Sequence, residues 1–421
     1  MKSRRRLLRD LGVGAGALAF APWPSLAASA RVIVIGGGFA GASCARSLCA
    51  LAPNLQVTLI EPKQTYTACP FSNLVIGGQR SIEAQEFTYE GIAATGVTVI
   101  HRRADEVDPV AKRVRLDDGT TLPYDRLVMA PGIEMRWDAL EGYDEAATER
   151  MPHAWQAGEQ TTLLRRQLDA MPDGGLVVIA VPQSPYRCPP GPYERASLVA
   201  AYLQRAKPRS KLLVLDAKDN FSKKPLFQQA WADLYGDLIE WQGASDGATV
   251  VSVDPGDMRV QTDFDAFNPA VANVIPPQRA GAIARKAGVA DASGWCPIHP
   301  LTFESRLQSD IHVIGDAAIA NAMPKSAFAA NAQAGLCAVQ VVQRLAGKSP
   351  VDATLLNTCY SLVRSDYGIS VADVYRPTEE SWQSVEGAGG ISDPGAATDV
   401  RRREAGYAAH WFDTITSQVF G

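Results

Sequence analysis

Val34-Ile35-Gly36-Gly37-Gly38-Phe39-Ala40-Gly41 is the stretch that decides the fold. The apolar run from Arg31 to Ile35 reads as a strand, and Gly36-x-Gly38-x-x-Gly41 as a tight turn into a helix reaching about Leu51. Glycines at these positions let the backbone approach a pyrophosphate, while the helix N-terminus offers N–H donors and the positive end of its dipole. A second strand, Val57 to Ile60, ends at Glu61, where a carboxylate meets ribose hydroxyls. A lone glycine motif says little, and its plain reading is a core turn. Strand, loop, helix, strand and terminal acid in register predict a dinucleotide site.

Two later segments narrow the dinucleotide. Leu122 to Gly132, containing Tyr124-Asp125-Arg126-Leu127-Val128-Met129-Ala130-Pro131-Gly132, resembles the Tyr-Asp-x-Leu-Val-x-Ala-Thr-Gly segment of two-dinucleotide-domain flavoproteins, with Pro131 in place of Thr. Ile311-His312-Val313-Ile314-Gly315-Asp316-Ala317 resembles their second FAD motif, whose terminal Asp binds the ribityl chain. This order implies FAD in a disulfide-reductase-like fold. Lys325 precedes a helical run from Ser326 to Ala346. Two readings stand for it: a cation at the flavin pyrimidine edge, or a solvated lysine at a helix end.

Disulfide reductases bind NAD(P)H with a second glycine loop. Here the matching strand, Leu176 to Val181, runs into Pro182, Pro185, Cys188, Pro189, Pro190, Gly191, Pro192, Tyr193 and Glu194. The prolines remove N–H donors that a phosphate needs, so the domain shape is kept and the phosphate cradle is lost. A helix from about Tyr193 to Ala206 and a strand from Lys211 to Leu215 follow.

Cys188, between Arg187 and two prolines, and Cys359, in Leu356-Asn357-Thr358-Cys359-Tyr360-Ser361, meet only if tertiary structure brings them together. A disulfide beside a flavin can accept a sulfur nucleophile; a purely structural exported disulfide is the other reading. Glu194 is a candidate base for an incoming thiol or hydrogen sulfide, or else a first-turn acid favoured by the helix dipole. Cys44, Cys49 and Cys337 lie in apolar helices and read as core, Cys69 as a small buried hydrophobe, and Cys296 is undecided. No metal-ligand spacing and no c-type haem attachment motif occurs.

The remaining features concern location and partners. Ser3-Arg4-Arg5-Arg6-Leu7-Leu8-Arg9, an apolar Leu11 to Phe20 and Ala28-Ser29-Ala30 read as a twin-arginine export signal with its cleavage site, so the mature chain is expected in the periplasm from about Arg31. An uncleaved anchor is the rival reading, although the apolar segment is short for one. Glycines 12, 14 and 16 follow no strand and are discarded as a nucleotide site. A chain of 421 residues accommodates two or three domains, a formal charge of −4 without a basic stripe argues against nucleic acid, and seven cysteines leave one thiol over. No later apolar run is long enough to span a bilayer.

Taken together, Thr67-Ala68-Cys69-Pro70, the Cys188-Pro-Pro-Gly-Pro-Tyr-Glu194-Arg loop, Trp295-Cys296-Pro297-Ile298, Met323-Pro324-Lys325-Ser326, Leu356 to Tyr360 and Tyr367-Gly368-Ile369-Ser370-Val371 resemble the flavoprotein subunit of flavocytochrome c sulfide dehydrogenase. The resemblance implies FAD bonded to Cys69 through its 8α-methyl, an active disulfide between Cys188 and Cys359, Glu194 as a base, and Trp411 near the flavin. It implies hydrogen sulfide as substrate and a separate c-type cytochrome subunit, carrying the haem, in a heterodimer. The expected fold class is α/β: two Rossmann-like domains, disulfide-reductase-like, plus a C-terminal α+β domain. Its expected parts are an FAD domain over 31–150 and 285–345, a degenerate NAD-type domain over 151–284, and a C-terminal cytochrome-interface domain over 346–421. Gly36, Gly38, Gly41, Glu61, Cys69, Gly132, Asp316, Lys325 and Trp411 are the expected flavin contacts. The rival readings are a sulfide:quinone oxidoreductase, for which the Trp411 to Phe420 amphipathicity is weak, and a non-catalytic cytochrome-binding flavoprotein.

Overall fold

The computed structural model describes residues 30–421. The expected export signal and the cleavage segment up to Ser29 lie outside the described residues.

The first sheet is parallel, with strands in the order Ile311–Val313, Arg126–Met129, Arg31–Ile35, Gln56–Ile60 and Thr98–Ile100. Both faces are covered, which is why the Val-Ile-Val-Ile run is apolar without alternation. The strand Ile311–Val313 enters this sheet only after a second nucleotide-type fold has been completed. The flavin motif read at Asp316 therefore stands beside the glycine loop although the sequence separates them widely.

The helix after the glycine loop, Phe39–Leu51, packs on the long helix Ala327–Leu345. Small residues make the approach close: Ala42, Cys44 and Ala45 on one helix, Ala330, Ala334 and Cys337 on the other. Cys337, which fits no motif, lies with its thiol in hydrogen-bonding reach of Cys44, and both are fully buried. Cys296 is likewise buried, and burial pushes its thiol up to about 12. These three thiols read as core.

The second sheet is also parallel, in the order Ile239–Gln242, Lys211–Asp216, Leu176–Val181 and Val271–Val274. The strand Leu176–Val181 has the predicted limits, whereas the following helix starts earlier, at Gly191, because Pro192 suits a first helical turn. Aromatic side chains fill the space beyond this strand. Tyr193 stacks on Phe221 with ring centroids 3.5 Å apart. Asp216 ends its strand as Glu61 ends its own, but it accepts from Tyr193 Oη at 2.6 Å and Trp241 Nε1 at 3.1 Å, and pairs with Lys218. The acid that would hold a ribose is thus already engaged.

The third unit is an antiparallel sheet, Leu355–Arg364 against Tyr367–Pro377 against Trp382–Ser384, backed by the helix Thr398–Phe420. The glycine-rich 387–397 segment is mostly loop as expected, yet Gly390–Ile391 pairs with Val371 and Ala372 and caps that edge. The helix carries Phe420 onto the first unit, where it meets Tyr66 at 5.0 Å, Phe87 at 5.3 Å and Phe39 at 5.7 Å. The architecture is that of two dinucleotide-type α/β folds with a C-terminal α+β unit, as predicted.

Candidate active site

A cavity of about 430 Å³ lies where the three units meet. Its floor is the glycine loop. At Gly36, with φ +100°, a Cβ would stand 2.2 Å from the Ala130 carbonyl oxygen; at Gly41 it would stand 1.9 Å from the Gly36 carbonyl oxygen. Only glycine permits this packing. The helix Phe39–Leu51 starts without a side-chain cap, which leaves its first N–H groups turned to the cavity for an anion. Glu61 ends the next strand, and its Oε2 accepts from the Gly37 N–H at 2.8 Å, so the acid also braces the loop.

Asp316 closes the opposite edge. Its Oδ1 is buried without a protein partner, and burial raises its carboxyl above the usual range. An orphaned carboxylate oxygen facing a cavity calls for a hydroxyl-bearing ligand. Glycine cradle, uncapped helix start and orphaned acid together fit the pyrophosphate and polyol chain of FAD. Gly132 and Trp411 also line the cavity, as does Cys69, whose half-buried thiol is 3.9 Å from the Trp155 carbonyl oxygen.

Lys325 is placed beneath the Asp316 turn. It is not among the residues lining the cavity. Its ammonium donates to the carbonyls of Asp316 at 2.7 Å and Ala318 at 2.9 Å, and sits 3.9 Å over the Trp295 ring. Burial pulls it down to about 8. The helix begins at Ala327 with Ser326 as its cap, so Lys325 lies outside the helix and folds back under the Asp316 turn. Its backbone has a use at the site, since its carbonyl accepts the Cys188 N–H at 2.8 Å.

Cys188 and Cys359 both line the cavity, and both are half-buried free thiols. Cys188 has φ +56°, a left-handed conformation uncommon for any residue but glycine or asparagine, set by the turn that Gly191 N–H closes onto its carbonyl. Burial first, then the charge of Glu194, pushes the Cys188 thiol far up. Cys359 arrives from the third unit, in register opposite Val371. Asn357 Nδ2 is 3.2 Å from its sulfur, and Ser326 Oγ holds Asn357 Oδ1 at 2.7 Å.

Glu194 also lines the cavity, in the first turn of the helix after Cys188. It accepts from Asn73 Nδ2 at 2.9 Å and from the Leu362 N–H at 2.8 Å. Burial nevertheless raises its carboxyl, against these hydrogen bonds and the charges of Lys223 and Arg195.

Sequence reading missed three cations here. Arg187 lines the cavity and donates to the Trp155 carbonyl. Arg195, 2% exposed, reaches Asn73 Oδ1, Asn273 Oδ1 and the carbonyls of His153 and Ala154, and burial lowers it to about 10. Lys223, 4% exposed, reaches the Cys359 strand. Nothing in their spacing signals burial. Among the described residues no cluster of His, Cys, Asp and Glu could hold a metal ion, and no helix is long and apolar enough to cross a membrane.

Comparison with known proteins agrees with this geometry. Residues 161–276 match the central region of the sulfide dehydrogenase [flavocytochrome c] flavoprotein chain, and residues 351–420 the flavin-binding region of flavocytochrome c sulphide dehydrogenase. Residues 30–170 match the pyridine nucleotide-disulphide oxidoreductases. The flavoprotein chain of sulfide dehydrogenase [flavocytochrome c] from Chlorobaculum thiosulfatiphilum is 58% identical over 45 residues, 11% of this chain and 94% of that sequence. Mitochondrial sulfide:quinone oxidoreductase from Mus musculus is 22% identical over 318 residues, 73% of this chain and 69% of the relative. In fold, the sulfide:quinone oxidoreductase of Aquifex aeolicus superposes with a TM-score of 0.71 at 18% identity, over 92% of each chain. Putidaredoxin reductase in its covalent complex with putidaredoxin gives 0.66 at 17%, over 90% of this chain and 93% of that one. The matched central and flavin-binding regions are those that supply Cys188, Glu194 and Cys359, and on these grounds the chain belongs to the flavoprotein chains of flavocytochrome c sulfide dehydrogenase.

Proposed function

We propose that this chain is an FAD-dependent sulfide dehydrogenase subunit that oxidises hydrogen sulfide through a Cys188–Cys359 disulfide and hands the electrons to a c-type cytochrome subunit in the periplasm. The observation that carries the reading is the convergence of two cysteines from different units onto one cavity that also has the glycine cradle, Asp316 and Cys69.

In the oxidised protein the two thiols form a disulfide. Hydrosulfide attacks one sulfur; a new S–S bond gives a persulfide, the Cys188–Cys359 bond breaks, and the other cysteine leaves as a thiolate. Glu194, whose carboxyl burial raises above its ordinary value, takes the proton when the incoming species is H₂S. Bound FAD supplies an acceptor that takes an electron pair and releases single electrons. Cys69 is the attachment point for the flavin, its thiol being on the cavity wall. Arg187 and Trp155 shape the wall beside it.

A quinone is the rival acceptor, and the sulfide:quinone oxidoreductase likeness speaks for it. The apolar face of the C-terminal helix favours a water-soluble acceptor instead: Phe412, Ile415, Val419 and Phe420 are all at most 5% exposed, packed on the protein's own aromatic residues. Replacing Cys188 or Cys359 by Ser is expected to leave bound flavin in place and abolish sulfide-dependent reduction of cytochrome c. Full activity in either variant rejects the disulfide mechanism. Equal activity with a quinone and no cytochrome rejects the acceptor.

A further inference from the structure

Lys223 is a buried ammonium without an assigned role. It comes from the second unit, at a left-handed turn with φ +64°, one residue before the helix Lys224–Tyr235. Its Nζ donates to the Cys359 carbonyl oxygen at 2.8 Å and to Ser361 Oγ at 2.9 Å. Both partners are neutral, so the hydrogen bonds satisfy the donor without cancelling its charge. A cation held in the interior with neutral partners is expensive unless a negative charge forms nearby.

Such charge is available from several sides. Burial lowers the Lys223 ammonium below its ordinary value, and against that the groups that favour its charged form are, in order, Cys359, Glu194, Cys188 and Glu404. Arg195, from the helix that carries Glu194, is a second cation acting on that carboxylate, and Arg187 acts with Lys223 on Cys188. Tyr375, across the sheet, also feels Cys359. Glu194 holds the neighbouring Leu362 N–H on the same strand. The strand that carries Cys359 is therefore pinned by a cation at one point and a carboxylate at another, both from the second unit.

We propose that Lys223 is a positioning residue that fixes the Cys359 strand against the Cys188 loop and stabilises the negative sulfur that appears when the disulfide opens. This rests on the disulfide reading above. In that step hydrosulfide brings one negative charge, which ends on the released thiolate or on the persulfide, and no external oxidant is involved. The charge then lies within the field of an ammonium already in place, so no reorganisation accompanies it. Lys223 does not line the cavity and acts through the strand and through space.

The test uses the full-length flavin-loaded protein with its disulfide chemically reduced, and follows the rate at which iodoacetamide alkylates the Cys359 peptide near neutral pH by mass spectrometry. Lys223→Met and Lys223→Gln are both expected to slow this alkylation about tenfold. Lys223→Arg is expected to keep the wild-type rate. Lys223→Gln keeps a donor for the Cys359 carbonyl and removes only the charge, and it carries the test if the Met variant does not fold. A wild-type rate in Lys223→Gln overturns the proposal. Because alkylation needs no turnover, this result is independent of the serine variants that test the disulfide mechanism.

Discussion

The Glu194 carboxylate accepts the Leu362 N–H at 2.8 Å, tying the helix that follows Cys188 to the strand that carries Cys359. One side chain thus joins two units at the point where their cysteines face the same cavity. Burial holds its carboxyl above the ordinary value of about 4.3. For a raised carboxyl the stabilising contribution is complete below the unfolded value and fades as pH rises through the folded one. Glu194→Gln is permanently neutral, so the melting temperature of the wild type relative to this variant should fall as pH rises. Its sulfide-dependent rate should drop by about 10²-fold, with loss of the limb that reports this carboxyl in the pH profile, read by stopped-flow flavin bleaching.

Gly41→Ala tests the cradle. The added methyl would lie 1.9 Å from the Gly36 carbonyl, a backbone atom that cannot swing aside. Flavin content should fall to near zero and stability by about 3 kcal/mol. Visible absorbance per mole of purified chain and urea denaturation check both.

Cys69→Ser addresses the flavin link. Denaturing the wild type in acid should leave yellow colour and the flavin mass on the peptide holding Cys69. The serine variant should release all its flavin to the supernatant while keeping the native visible spectrum before denaturation.

Arg195→Met should destabilise the fold strongly. It removes donors from Asn73, Asn273 and two carbonyls in the interior at once. A loss of about 3 kcal/mol in chemical denaturation is expected, because Asn73 Oδ1, Asn273 Oδ1 and the Ala154 carbonyl are left unpaired in the interior, while the His153 carbonyl keeps Asn273 Nδ2.

The parts of the molecule legible in the sequence are those written locally. The glycine loop, Glu61 and the Gly315-Asp316 turn each announce themselves within a few residues, and the cavity is lined by all of them. The Lys325 ammonium on the Asp316 and Ala318 carbonyls is not legible, since a helix start says nothing of how the preceding turn folds back. Arg195 and Lys223 were invisible because the burial of a charge depends on which distant elements enclose it. That Cys188 and Cys359 share a cavity follows from how the second and third units dock, which no spacing encodes.

The stacking of Tyr193 on Phe221 makes a coenzyme pocket hard to engineer into the second unit. Writing glycines into the proline-rich turn would leave two packed rings in place, and shaving those rings would strand Asp216 with its hydroxyl partner gone. The second unit thus stands as a self-filled wedge, whose rings and acid satisfy one another and brace the turn that presents Cys188.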